Sequence, residues 1–106
     1  MAYIYQVSFD LKPNQMDELE IGSSLERVLG YLRALLPSEP GYVTSRAIYS
    51  LDIADKTELV FQSVWESWDD LDSHRKSTLA EIKVLSEFQP HVSLDDLSVH
   101  IYEEVE

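Results

Sequence analysis

The sequence predicts an α+β fold, in which a four-stranded antiparallel sheet carries helices on one face. Segments that alternate apolar and polar residues are separated by segments with apolar residues three or four positions apart, in the order strand, helix, strand, strand, helix, strand. The stretch from Glu58 to His74 contains one such change of period, which places a strand directly before a helix. Because 106 residues is the length of an ordinary domain, we expect a single domain over residues 1–106.

The first strand is predicted from Tyr3 to Phe9, where odd-numbered positions form a strongly apolar face and even-numbered positions a mixed one. The segment Lys12-Pro13-Asn14 should end this strand, because proline has no backbone N–H to give to a sheet.

A long helix is predicted next, from about Gln15 to Leu36, and Pro37 should end it. Gly22-Ser23-Ser24 is a site for a kink or a break, because glycine weakens the interior of a helix. The predicted apolar stripe of this helix consists of Met16, Leu19, Leu25, Val28, Leu29, Leu32, Leu35 and Leu36.

A hairpin should follow the turn at Pro40-Gly41, with strands from Tyr42 to Leu51 and from Thr57 to Glu66. The polar segment Asp52–Lys56 connects the two strands. The second of these strands has apolar residues on both faces, so both faces need to be covered.

The last part of the chain should form a helix in two stretches and then a strand. Ser67 is a suitable helix cap, the first stretch runs to about Arg75, and the second runs from about Thr78 to Phe88, before Pro90. We expect the inward positions of the second stretch to be Leu79, Ile82 and Leu85. The final strand is predicted from Leu97 to Val105.

This order of elements is the split β-α-β arrangement of ferredoxin-like folds. Two helices cover only one face of such a sheet, and the first and third strands carry apolar residues on the other face as well. An uncovered face of that kind would be a large apolar patch, which soluble monomers avoid. We therefore expect a homodimer that packs two sheets face to face, as a dimeric α+β barrel.

Composition excludes several classes of partner. The formal charge of −12 disfavours nucleic acid and anionic membranes, and no apolar run is long enough to span a bilayer. The first ten residues resemble a strand more than a signal peptide, and the absence of cysteine favours the cytoplasm. No two of the three histidines have metal-ligand spacing, so we expect neither a metal nor a cofactor.

Three features together resemble the antibiotic biosynthesis monooxygenase-like family: Pro40-Gly41-Tyr42 before a strand, a polar hairpin, and VFQSVWESWDDLDSH running from strand into helix. The resemblance implies a dimeric α+β barrel. It also implies one of several activities, which include cofactor-independent oxygenation of phenolic or quinol-like substrates, haem degradation and isomerisation, or no known activity. By position, Trp65 matches the tryptophan that ends the third strand near the family's pocket, and His74 matches a frequent histidine on the next helix.

The chain departs from this family at two polar positions. The oxygenases have an asparagine shortly before the tryptophan and a tyrosine shortly after it, whereas this chain has Phe61 and Leu71. A non-catalytic dimeric module that binds a small ligand or a partner protein is therefore the alternative hypothesis. Haem binding is ranked as the third hypothesis. The haem degraders have a histidine in the region that corresponds to Ser77–Leu85, and this chain has none there.

The candidate catalytic residue is His74, acting as a general base, because an imidazole ordinarily titrates near neutral pH. The alternative is a structural pair between His74 and Asp70, four residues earlier. Trp65 and Trp68 are interpreted first as core or interface residues. A flat apolar site for an aromatic ligand would have as its wall Trp65, Phe61, Tyr5, Phe9 and Leu71.

Overall fold

The computed structural model of the chain describes residues 2–12, 16–89 and 91–105. The predicted strand end at Pro13-Asn14, the predicted helix start at Gln15 and the predicted helix stop at Pro90 lie outside these residues. In chain order the elements are β1 (Tyr3–Leu11), α1 (Glu18–Leu35), β2 (Tyr42–Tyr49), β3 (Thr57–Trp65), α2 (Trp68–Ser77), α3 (Leu79–Phe88) and β4 (Ser98–Glu103). Short 3-10 turns occur at Leu36–Ser38 and Leu94–Asp96.

The strands form one antiparallel sheet in the order β2-β3-β1-β4. In the centre of the sheet, Tyr5 of β1 lies opposite Ser63 of β3 and Ile101 of β4. This topology confirms the predicted ferredoxin-like protomer. None of the helices in the described part of the chain is long and apolar enough to cross a bilayer.

The helix-covered face of the sheet carries the core, as the alternation of residues predicted. Leu59, Phe61 and Trp65 of β3 are buried on this face, and the odd-numbered residues from Tyr5 to Leu11 of β1 are buried beside them. Period-two burial follows from the strand geometry, because successive side chains point to opposite faces.

Helix α1 is continuous through Gly22 and Gly30, so the break considered near Gly22 does not occur. The predicted stripe was wrong at Leu19, which is 84% exposed, and at Leu35, which is 42% exposed. The residues that face the sheet are spaced three or four apart, and they are Ile21, Leu25, Val28, Leu32 and Leu36.

The second helical region consists of two helices that meet at Thr78, which has a left-handed backbone with φ 51°. Ser67 caps α2, as predicted, because its side chain accepts a hydrogen bond from the Asp70 N–H at 3.2 Å. The inward position expected for Ile82 was wrong, since this residue is 55% exposed. The helix break at Thr78 changes which side chains of α3 face the sheet. The buried positions of α3 are Ala80, Glu81, Val84 and Phe88.

Trp68 is 43% exposed at the first position of α2, so its interpretation as a core residue was wrong, while its interpretation as an interface residue stays a prediction. Its ring lies edge-on to Tyr3, with centroids 6.2 Å apart, and Arg75 lies over it at 5.4 Å. Trp68 thus packs at the edge of the core and is not part of it.

The opposite face of the sheet is covered by no helix among the described residues. Its central row is polar: the Arg46 Nε donates to Gln62 Oε1 at 2.6 Å, and Gln62 Nε2 donates to Gln6 Oε1 at 2.8 Å. His100 lies opposite Gln6, at the end of this row. Apolar side chains occupy the rows on either side, including Ile4, Ile48, Val60, Val64 and Tyr102. We call this surface the open face.

Candidate functional site

Three aromatic side chains meet between the sheet and α2. His74 of α2 is only 2% exposed, and its ring stacks on Trp65 of β3 with centroids 4.6 Å apart. Tyr5 of β1 lies edge-on to the same histidine ring at 5.3 Å. The structure thus brings together three of the residues that the sequence pointed to, one from each of three elements.

His74 is paired with Glu39, a residue that the sequence did not single out. Its Nδ1 lies 3.2 Å from Glu39 Oε2 and 3.4 Å from Oε1. Asp70, the partner considered from the sequence, accepts a hydrogen bond from the Ser67 hydroxyl at 2.7 Å instead. When His74 is neutral, donation from Nδ1 to the Glu39 carboxylate leaves the lone pair on Nε2, which is the arrangement of an oriented base.

A second pair, in which both residues are buried, lies next to the first. The Tyr5 hydroxyl donates a hydrogen bond to Glu81 Oε1 of α3, and both residues are buried. Burial and then the hydrogen bond to Glu81 raise the pKa of Tyr5 well above its ordinary value. Sequence spacing gave no signal for Glu81, because a glutamate in a helix is ordinarily a solvated residue.

The raised pKa of Tyr5 predicts a loss of stability in alkali. Above pH about 10 the unfolded chain releases the Tyr5 proton while the folded chain keeps it, so the free energy of unfolding should fall by up to about 1.4 kcal/mol per pH unit for this group. Tyr5→Phe removes this contribution. The difference in unfolding free energy between wild type and variant, measured by urea denaturation, should therefore be constant below pH about 10 and shrink above it. If the unfolding free energies of the wild type and the variant changed in parallel above pH about 10, the raised pKa of Tyr5 would be contradicted.

A small cavity lies among these groups. Its volume is about 10 Å³, which is no more than a single water molecule needs. The residues that line it are Tyr5, Val7, Leu32, Leu36, Phe61, Gln62, Ser63, His74 and Ala80. The space between sheet and helices is therefore nearly filled in this state.

Three of the five predicted ligand contacts, which are Trp65, Phe9 and Leu71, do not line the cavity, whereas Tyr5 and Phe61 do. Phe9 stacks on Phe61 with centroids 6.4 Å apart and lies edge-on to Phe88 at 5.0 Å, and it does not line the cavity. Leu71 is fully buried in the core and does not line the cavity either.

A wider groove, of about 480 Å³, opens at the surface between α1 and the end of α3. It shares no lining residue with the small cavity beside His74, and its arginine, Arg27, is already paired with Glu87 at 2.7 Å. Over residues 2–12, 16–89 and 91–105, no three or more His, Asp and Glu side chains form a cluster that would hold a metal ion.

The turn before β2 holds α2 in place over the sheet. The Glu66 N–H donates to the Gly41 carbonyl at 2.8 Å, so the turn is joined to the segment that leads into α2. Gly41 has φ +79°, and a Cβ on it would lie 2.1 Å from Asp70 Oδ2. Only glycine allows this approach, and the approach fixes the first turn of the helix that carries His74.

Comparison with known proteins gives structural neighbours only. No family model and no curated protein matches the chain. A dimeric protein of unknown function with a ferredoxin-like fold from Bacteroides fragilis is 15% identical, with a TM-score of 0.65 over 97% of this chain and 96% of that one.

Two further neighbours carry a described activity. A Bacillus cereus protein described as an antibiotic biosynthesis monooxygenase is 17% identical, with a TM-score of 0.64 over 97% of this chain and 90% of that one. SnoaB, a cofactor-independent oxygenase from Streptomyces nogalater, is 11% identical, with a TM-score of 0.59 over 100% of this chain and 96% of its own. The resemblance expected from the sequence is confirmed at the level of the fold.

Proposed function

We propose that this protein is a cofactor-independent, monooxygenase-like enzyme that acts in the cytoplasm on a small apolar phenolic or quinol-like substrate, with His74 as the general base. The observation that carries the proposal is the pair formed by the buried His74 and the half-buried Glu39, in which the histidine ring meets the ring of Trp65 and the edge of Tyr5. Burying an ionisable group costs stability, so buried histidines with a carboxylate partner are concentrated at functional sites.

The chemistry of this site suits removal of a proton from a phenol. The phenol group has a pKa of about 10, and a carboxylate beside Nδ1 stabilises the imidazolium that forms when Nε2 takes the proton. The phenolate is electron-rich. The substrate supplies all four electrons and is oxidised to a quinone: one oxygen atom of O₂ becomes a new ring carbonyl, and the other leaves as water with two hydrogens from the substrate, so the reaction needs no cofactor. Two neighbours with this fold are named as an antibiotic biosynthesis monooxygenase, from Bacillus cereus, and as a cofactor-independent oxygenase, from Streptomyces nogalater.

The alternative is a dimeric module without catalysis, which binds a small ligand or a partner protein. The nearly filled space beside His74 favours it, because a cavity of about 10 Å³ holds no aromatic ring. The oxygenase proposal requires that side chains around this cavity move when a substrate binds.

The two candidates are separated by oxygen uptake with a panel of quinols. If His74 is the base, His74→Ala should lower the turnover number by about 100-fold or more, and Glu39→Gln should lower it by about tenfold or more. His91→Ala, in a loop after α3, is the matched control and should leave turnover unchanged. If the His74→Ala variant turned over substrate as fast as the wild type, His74 would not be the base. If the wild type showed no turnover, the non-catalytic module would be the better proposal.

We further propose that the protein is a homodimer in which the open faces of two chains pack together. The apolar rows of the open face would be buried by a second copy, and its polar central row supplies donors and acceptors that pair in one register. The neighbour from Bacteroides fragilis is a dimer with this fold.

Val64→Asp, in an apolar row of the open face, tests the dimer. A buried unpaired carboxylate is costly, so the molar mass measured by light scattering should fall to that of one chain. Ile82→Asp, on the exposed side of α3, should leave the mass of the dimer unchanged. A Val64→Asp protein with the dimer mass would place the interface elsewhere.

A further inference from the structure

The ring of Tyr5 is a phenol group held by the protein itself inside the candidate site. Its edge faces the His74 ring at 5.3 Å, and its hydroxyl is bound by Glu81. The para-substituted phenol of this side chain has the chemistry of the substrate class proposed above. The small cavity is lined by Tyr5 and His74, so an aromatic ligand beside His74 would need the space that this phenol group occupies.

The fold does not explain why Glu81 is acidic. The other buried positions of α3 are apolar, and they are Ala80, Val84 and Phe88. A buried carboxyl group is costly unless it is hydrogen-bonded, and an apolar residue of similar volume would pack at least as well. Glu81 makes its buried hydrogen bond to the Tyr5 hydroxyl. The carboxyl group therefore has the position and the partner of a hydroxyl-binding residue.

We propose that Glu81 recognises the hydroxyl group of a phenolic ligand, and that Tyr5 holds that place in the ligand-free protein. The substrate class in this inference rests on the proposed function. On binding, the ligand hydroxyl replaces the Tyr5 hydroxyl on Glu81, the Tyr5 side chain moves aside, and the ligand ring comes to lie beside His74. Glu81 is thus a specificity residue, while His74 remains the base.

Removing the Tyr5 ring tests this directly. Tyr5→Ala should open a cavity that binds p-cresol, the free form of the tyrosine side chain, about tenfold or more tightly than toluene, because only p-cresol has a hydroxyl for Glu81. Binding is measured by titration calorimetry. In the double variant Tyr5→Ala/Glu81→Leu the preference for p-cresol should disappear.

Phe9→Ala is the matched control, because it removes another buried ring from the same face of the same strand. Phe9 packs against the rings of Phe61 and Phe88, so its cavity should prefer toluene. Equal preference for p-cresol in the Tyr5→Ala and Phe9→Ala cavities would overturn the assignment of Glu81.

If Tyr5→Ala shows no cooperative unfolding transition, Tyr5→Phe gives the same information. Phenylalanine keeps the ring and removes the competing hydroxyl, so p-cresol should bind this variant about tenfold more tightly than it binds the wild type. It should also bind the variant about tenfold more tightly than toluene does, because only p-cresol has a hydroxyl for the freed carboxyl group of Glu81. Equal affinities for p-cresol would overturn the inference. These readouts are independent of turnover: p-cresol selectivity without oxygen uptake would leave Glu81 as a phenol-binding residue and remove only the oxygenase activity.

Discussion

Replacement of Trp65 by alanine should lower the free energy of unfolding by about 3–5 kcal/mol. Trp65 is fully buried at the end of β3, where it stacks on His74 and lies edge-on to Tyr42, with centroids 5.7 Å apart. Its Nε1–H donates to the Ser63 hydroxyl at 2.9 Å. The variant leaves a cavity and removes the donor to a buried hydroxyl, and urea denaturation measures the combined loss.

The chain provides its own control three residues later. Trp68→Ala removes a side chain that is 43% exposed, so it leaves no closed cavity and should cost only about 1 kcal/mol. Trp65→Phe keeps an aromatic ring at this position, so its loss of unfolding free energy should lie between those of the two alanine variants. Equal losses for the two tryptophan-to-alanine variants would show that Trp65 does not have the packing described for it.

Gly41→Ala should destabilise the protein by about 2–4 kcal/mol, from the positive φ and from the clash with the Asp70 side chain together. The first turn of α2 would have to shift to make room. Because that helix carries His74, turnover should fall along with the midpoint of thermal unfolding.

Gly30→Ala is the opposite case of the same substitution. A Cβ at Gly30 meets nothing within 4 Å, and the residue lies inside α1, so alanine should stabilise the protein by about 0.5–1 kcal/mol. Thermal unfolding of the two variants side by side should show shifts of opposite sign. A shift of the same sign and size in both would contradict the special role of Gly41.

The strands were predictable because burial on a sheet follows a period of two. Leu59, Phe61 and Trp65 could be assigned to one face from spacing alone, and all three are buried there. The buried face of a helix is harder to assign from the sequence, since a period of 3.6 residues allows the predicted apolar stripe to be shifted by one position. That ambiguity accounts for Leu19 and Ile82, two apolar residues that were expected inside and are exposed.

The partners at the site were beyond what the sequence alone shows. Glu39 and His74 are 35 positions apart, and Glu81 is 76 positions from Tyr5. No local spacing connects such pairs, and this acidic chain has 20 aspartates and glutamates from which to choose. Only the packing of α2 and α3 on the sheet selects these two carboxylates.

The left-handed residue Thr78 has a consequence for local unfolding. It divides the cover of the sheet into two ten-residue helices, and isolated helices of that length are marginal in water. Each must therefore be held by its own packing, and the two can open separately. We expect the backbone amides of α3 to exchange with deuterium as a group distinct from those of α2, so the helix that carries Glu81 can lift from the sheet while the helix that carries His74 stays closed.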